Sequence, residues 1–210
     1  MAIDEVKFAR WGLLAGLLAA VVIVVSGFIA GEPPKVTDAD AKIIEFLTDK
    51  QDQLRIGSYL GGLGAVLFLW FLGSLYGKLR GAEGGTGRLS RVAMMGGLGA
   101  ITIASAANAI LANAALRTDP GAYRLSTQFY GYTAFFLAVF VAAISVHIWS
   151  SGLLAKWFGY AGEALAVAWF VAAAAVSTNN DTIATIGFIV FVVWAIWLAA
   201  LSVQLYRQDA

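Results

Sequence analysis

Between Arg55 and Arg91 the chain reads RIGSYLGGLGAVLFLWFLGSLYGKLRGAEGGTGRLSR, an uncharged run from Ile56 to Gly77 set directly against a glycine-rich loop that holds Lys78, Arg80, Arg88 and Arg91. As a helix, an apolar run of about 22 residues matches the hydrocarbon thickness of a bilayer, and basic residues crowded into the short loop after it mark that loop as cytoplasmic. A soluble domain can hide one or two such segments. This sequence offers six, over about residues 11–30, 56–77, 92–115, 127–149, 160–177 and 182–206. With 60% hydrophobic and 13% charged residues, the expectation is an all-α integral membrane protein, a six-transmembrane-helix bundle forming one membrane domain over residues 1–210.

The segments between the runs supply the remaining topology. The first run is too long for the hydrophobic core of a secretory signal and ends in Phe28, Ile29 and Ala30 without a small-x-small site, so it reads as a retained helix stopped by Gly31, Pro33 and Pro34. Residues 35–55 are the only sizeable polar stretch. Thr37 with Asp40 resembles a capping box, and Ile43, Ile44, Phe46, Leu47 and Leu54 make a partial apolar face, which predicts a short extracytoplasmic amphipathic helix between spans one and two. The loop GAEGGTG lacks the Lys-Ser/Thr that a phosphate-binding loop needs and follows a helix, so it reads as a linker, with Ser90 as N-cap of the third span. Arg117, Asp119 and Pro120 end that span.

Basic residues set the orientation. The leader, the 78–91 loop, the 150–158 turn and the tail carry 8 Lys and Arg, against 6 on the other side, and 4 of the 8 lie in one short loop. Both termini are therefore expected in the cytoplasm. Small residues at i, i+4 spacing, namely Gly12 and Gly16, Gly27 and Gly31, Gly57 and Gly61, Gly73 and Gly77, let helices approach closely, within the chain or between copies.

The span ending FLWFLGSLYGKLRGAEGG and the later turn SSGLLAKWFGYAG resemble small six-span bacterial membrane proteins, common in actinobacteria, that are grouped under domains of unknown function. The likeness runs from about residue 38 to 200, with Ala155 standing where the family usually has proline. It implies a six-helix fold in a bacterial cytoplasmic membrane and brings no catalytic residues with it.

Chemistry must then come from polar groups inside the spans, which the bilayer tolerates only at a cost. Glu163 is the one acid within an apolar span and His147 the sole histidine, each about one turn from the cytoplasmic face. Two readings stand for them: a titrating pair with Arg88 or Arg91 as further partners, or an ion pair that fixes the helix hairpin. Span three offers Thr102, Ser105 and Asn108 over about 120° of one helix face, with Asn113 towards its outer end. Span four adds Gln128 and Tyr132 there, near a loop of Asn179, Asn180 and Asp181. Together with an aromatic wall of Phe135, Phe136, Phe140, Trp169, Trp194 and Trp197, these outline an outward-facing site for a ligand. Polar bonding between neighbouring helices is the competing account of the same residues.

Sharper identities fall away. No lysine lies within a span for a retinal Schiff base, a single histidine excludes bis-histidine haem, and zero cysteines exclude thiolate metal sites within the chain. No metal, no cofactor and no catalytic constellation are expected, and a net charge of +1 argues against nucleic acid as a partner. Two functions stay open: a protein that binds or transports a lipophilic or weakly polar small molecule, with membrane lipids and a homo-oligomer or larger membrane complex as partners, or a non-catalytic accessory subunit docked on another membrane protein.

Overall fold

Most breaks foreseen at glycine and proline are where the helices stop, but the loop expected over 78–91 is only 84–87, because Lys78, Arg80 and Gly81 continue one helix and Arg88 and Arg91 open the next. The computed structural model describes residues 5–176, 178 and 181–208. Among them the chain forms α1 (Glu5–Phe28), α2 (Asp40–Asp49), α3 (Gln51–Glu83), α4 (Arg88–Arg117), α5 (Pro120–Ser151), α6 (Lys156–Ala173), one 3-10 turn (Ala174–Val176) and α7 (Asp181–Gln208), with no strand. Ser177, Asn179 and Asn180 lie outside the described residues.

Each junction has a local cause. Between α3 and α4, Gly84, Gly85 and Gly87 all take positive φ (65°, 48° and 66°), a region that a Cβ disfavours. Thr118 takes φ 49° to end α4, and Asp119 then caps α5 by accepting from the N–H groups of Gly121 (2.8 Å) and Ala122 (3.2 Å), with Pro120 at the first helical position. Gly152 (φ 72°) closes α5.

Five helices, within Ala9–Phe28, Gln51–Glu83, Arg88–Arg117, Pro120–Ser151 and Thr185–Gln208, are long and apolar enough to cross a membrane. The 18-residue α6, with Lys156 and Glu163 in its first half, stands outside that set. Each long helix packs on the next in the chain, α1 on α3, α3 on α4, α4 on α5, α5 on α6, α6 on α7, and α7 closes back on α1. The result is a ring of six helices with Phe68, Phe71 and Phe140 fully buried at its centre. Large apolar side chains such as Val66, Trp70, Met95 and Ile196 point outward and stay exposed. An apolar exterior around an apolar interior is what a lipid solvent permits.

A second core lies at the end of the ring away from the 84–87 loop, where Ile43 and Leu47 of α2 pack with Leu54, Ala114, Ala115 and Tyr123. The capping box expected at Thr37 and Asp40 does not form. Ala39 precedes the helix without a side-chain cap, and the Lys35 N–H donates to Asp38 (2.9 Å) instead. Ser90 is likewise not the N-cap of α4, which begins at Arg88 after Gly87. The small-residue pairs also divide. A Cβ at Gly12, Gly16, Gly57 or Gly61 would collide with a neighbouring helix, whereas Gly27, Gly31, Gly73 and Gly77 have nothing within 4 Å.

Candidate functional site

Helices α3 and α4 leave a groove of about 380 Å3 between their outer faces, at the end of the ring where α2 lies. Its floor is small because the sequence places Ser58 and Gly62 one turn apart on α3, facing Ser105, Ala109 and Ala112 on α4. Tyr59 and Leu116 rise on either side, both mostly exposed, and Arg55 stands at the rim. Ser58 is the polar atom out of place. Its hydroxyl is buried and has no hydrogen-bond partner among the described residues, an unusual state for a polar side chain. The volume lies at the low end of the range of roughly 300–1,000 Å3 found for small-molecule pockets.

The expected outward site is assembled only in part. Ser105 and Asn108 line the groove. Asn108 also closes the contact between three helices: its side chain sits against Gly61, where a Cβ would come within 2.7 Å of Nδ2, and its Oδ1 accepts from the Tyr130 hydroxyl at 2.8 Å. Thr102, Asn113, Gln128 and Tyr132 are exposed, and they do not line the groove. Tyr132 instead contacts the Phe135 ring at 6.1 Å. Tyr130 was not among the expected site residues; two residues along a helix turn a side chain about 200° away, so Tyr130 and Tyr132 cannot face the same neighbour.

Trp194 and Trp197 do not join that site either. Trp194 packs in the ring centre against Phe68 (6.2 Å), Trp169 (6.4 Å) and Phe191 (6.1 Å), while Trp197 stacks on Phe158 at 5.5 Å. Their buried indole N–H groups, like that of Trp169, have no acceptor in the described structure and are surrounded by aromatic neighbours. Of the rest of the expected wall, Phe140 is buried in the core whereas Phe135 and Phe136 face outward.

At the opposite end, the proposed pairing of His147 with Glu163 is not formed. His147 is fully buried and its Nε2 lies 2.8 Å from the Leu79 carbonyl of α3. A carbonyl only accepts, so Nε2 carries the proton, and Nδ1 faces the Ser151 hydroxyl at 3.1 Å. Glu163 takes a hydrogen bond from the Trp149 indole at 2.5 Å. His147 and Trp149 are two residues apart and point to opposite sides of α5, which separates their partners. Arg91 does not reach either group, since it donates to the carbonyls of Thr86 (2.5 Å) and Gly87 (3.1 Å), and Arg88 is exposed. The acid that matters there is Glu83, which no motif flagged. It accepts from the N–H groups of Leu89 (2.7 Å) and Ser90 (2.9 Å) and from the Ser90 hydroxyl. A carboxylate at the end of one apolar run, followed by a glycine-rich turn and then a serine, is the signal that could have found it.

Among the described residues no group of three His, Cys, Asp or Glu is gathered as a metal site would need. Comparison of the chain with protein-family models, with curated proteins and with solved structures finds no match.

Proposed function

We propose that this chain is a membrane protein that binds a lipophilic or weakly polar small molecule in the lateral groove between α3 and α4. In this reading α6 is a sixth crossing, the protein sits in a bacterial cytoplasmic membrane with both termini in the cytoplasm, and α2 lies on the outer surface. The groove carries the reading: it is apolar, open to the side of the ring, and has Ser58 and Asn108 in its lining. The ring centre is filled by Phe68, Phe71, Phe140 and Trp194, which favours binding over passage through the bundle. The same filled centre is the observation that favours the second reading, an accessory subunit that docks through its outer faces.

Gly62→Trp tests the groove. A Cβ at Gly62 meets nothing within 4 Å, so the larger side chain enters the groove without disturbing the ring. Native mass spectrometry of the protein released from membranes should show a bound lipophilic molecule that the variant loses while it remains folded. Equal occupancy in both proteins would sink the groove as the site. For orientation, the chain has no cysteine, so single cysteines at Thr86 and Asp49 should label from opposite sides of intact cells, Asp49 from outside. Labelling from one side would overturn the six-crossing arrangement.

A further inference from the structure

We infer that the occupant of this groove is an anionic phospholipid, its phosphate held by Arg55 and one acyl chain laid along the floor of Gly62 and Ala109; this rests on the groove being a ligand site. Arg55 lies in the second turn of α3 and is, among the described residues, the only charged one lining the groove. Its side chain is 53% exposed. The neighbouring Asp52 approaches no closer than 3.6 Å and is itself 83% exposed, so this weak pair leaves most of the five guanidinium donors to another anion. Arg117 follows Leu116 in the last turn of α4 at the same end, but does not line the groove. A guanidinium presents its donors as a planar fork that matches a phosphate.

Ser58 follows Arg55 by three residues, about 4.5 Å along the helix axis, and is the next polar residue of the lining on α3. About 6 Å further along come Gly62 and its facing alanines, with the Asn108 side chain against Gly61 at the same depth, so the floor there is small and mostly apolar.

The test is native mass spectrometry of the full chain reconstituted in nanodiscs holding equal amounts of dioleoylphosphatidylglycerol, dioleoylphosphatidylcholine and dioleoylglycerol. The phosphatidylglycerol should be retained about tenfold over dioleoylglycerol, and Arg55→Gln should abolish that preference while leaving some lipid bound, as expected for loss of a charge-assisted bond. Gly62→Trp should remove all three. Equal retention of the three by the native protein, or an unchanged preference in Arg55→Gln, overturns the inference while the groove stands. Retention unaffected by Gly62→Trp overturns both the inference and the groove. A dimer that replaces bound lipid and is lost in Gly62→Trp assigns the slot to a second copy and overturns the inference.

Discussion

Glu83, the last residue of α3, caps the helix that follows it by holding Ser90 through both its backbone N–H and its hydroxyl. The arrangement answers a local problem. The first N–H groups of a helix lack partners, and the positive end of the helix dipole disfavours the Arg88 and Arg91 that open α4. A carboxylate brought back across the glycine turn supplies both acceptors and negative charge. Glu83→Ala should therefore lower stability by about 1–3 kcal/mol, Ser90→Ala by less, and the double variant by less than the sum. Thermal unfolding of the purified variants in one detergent checks this; strict additivity would mean that the two do not share one interaction.

His147 and Glu163 have separate partners, and their variants should be independent. The losses of His147→Ala and Glu163→Gln should add within about 0.5 kcal/mol, whereas Glu163→Gln and Trp149→Phe should couple. A double-mutant cycle on unfolding midpoints distinguishes the two cases. Strong coupling between His147 and Glu163 would contradict the hydrogen bonds described here.

Adjacent glycines on α3 should respond in opposite ways. Gly61→Ala drives a Cβ against the Asn108 amide and should cost about 1–3 kcal/mol, while Gly62→Ala meets open space and should be neutral or gain up to about 1 kcal/mol of helix propensity. Gly96→Ala should be worse than Gly61→Ala, because its Cβ would meet the backbone N of Phe140 at 2.7 Å and a backbone cannot swing aside. Equal folded yields for Gly61→Ala and Gly62→Ala would remove the close contact from consideration.

Arg124 ties the 34–40 segment to α5. It donates to the carbonyls of Val36 (2.9 Å) and Asp38 (3.0 Å) and pairs with Asp40 (2.7 Å), beside the Tyr123 hydroxyl on the Pro34 carbonyl (2.6 Å). Arg124→Ala should speed amide hydrogen exchange in α2 at neutral pH without loosening α5. Unchanged exchange would show that the apolar contacts of Ile43 and Leu47 suffice.

The same segment has an acid-sensitive contact. A side-chain hydrogen bond from Lys42 and a backbone one from Lys35 hold the Asp38 carboxyl below the ordinary aspartate range. A depressed pKa contributes stability above the unfolded value that is lost as pH falls through the folded one. The Asp38 carboxyl should titrate below a reference aspartate by NMR, and Lys42→Ala should move it back up. A normal titration in the native protein would refute the contact.

The helix boundaries were largely legible in the sequence because Gly and Pro punctuate it so heavily: the stop at Gly31 to Pro34, that at Asp119 to Pro120 and the 150–158 turn appear, and the 78–91 loop appears shortened to 84–87. What was not legible was helix rotation. His147 and Glu163 share a depth, and so do Asn108 and Tyr132, yet depth does not say which face of a cylinder meets which neighbour. When the spans are apolar on nearly every side, periodicity gives little indication of rotation, and only packing decides that Asn108 meets Tyr130 and Glu163 meets Trp149.

The helices of the ring are unequal in height. At 33, 30 and 32 residues, α3, α4 and α5 reach about 45–50 Å, whereas the 18 residues of α6 reach about 27 Å. The three tall helices are neighbours, so the perimeter has a tall wall and a low one. Under the proposed arrangement, with α6 as a sixth crossing, lipids beside it thin or the whole ring leans towards it. Either response gives the protein a preferred side in the plane of the membrane, and a bilayer with longer acyl chains should raise the penalty on the α6 side first.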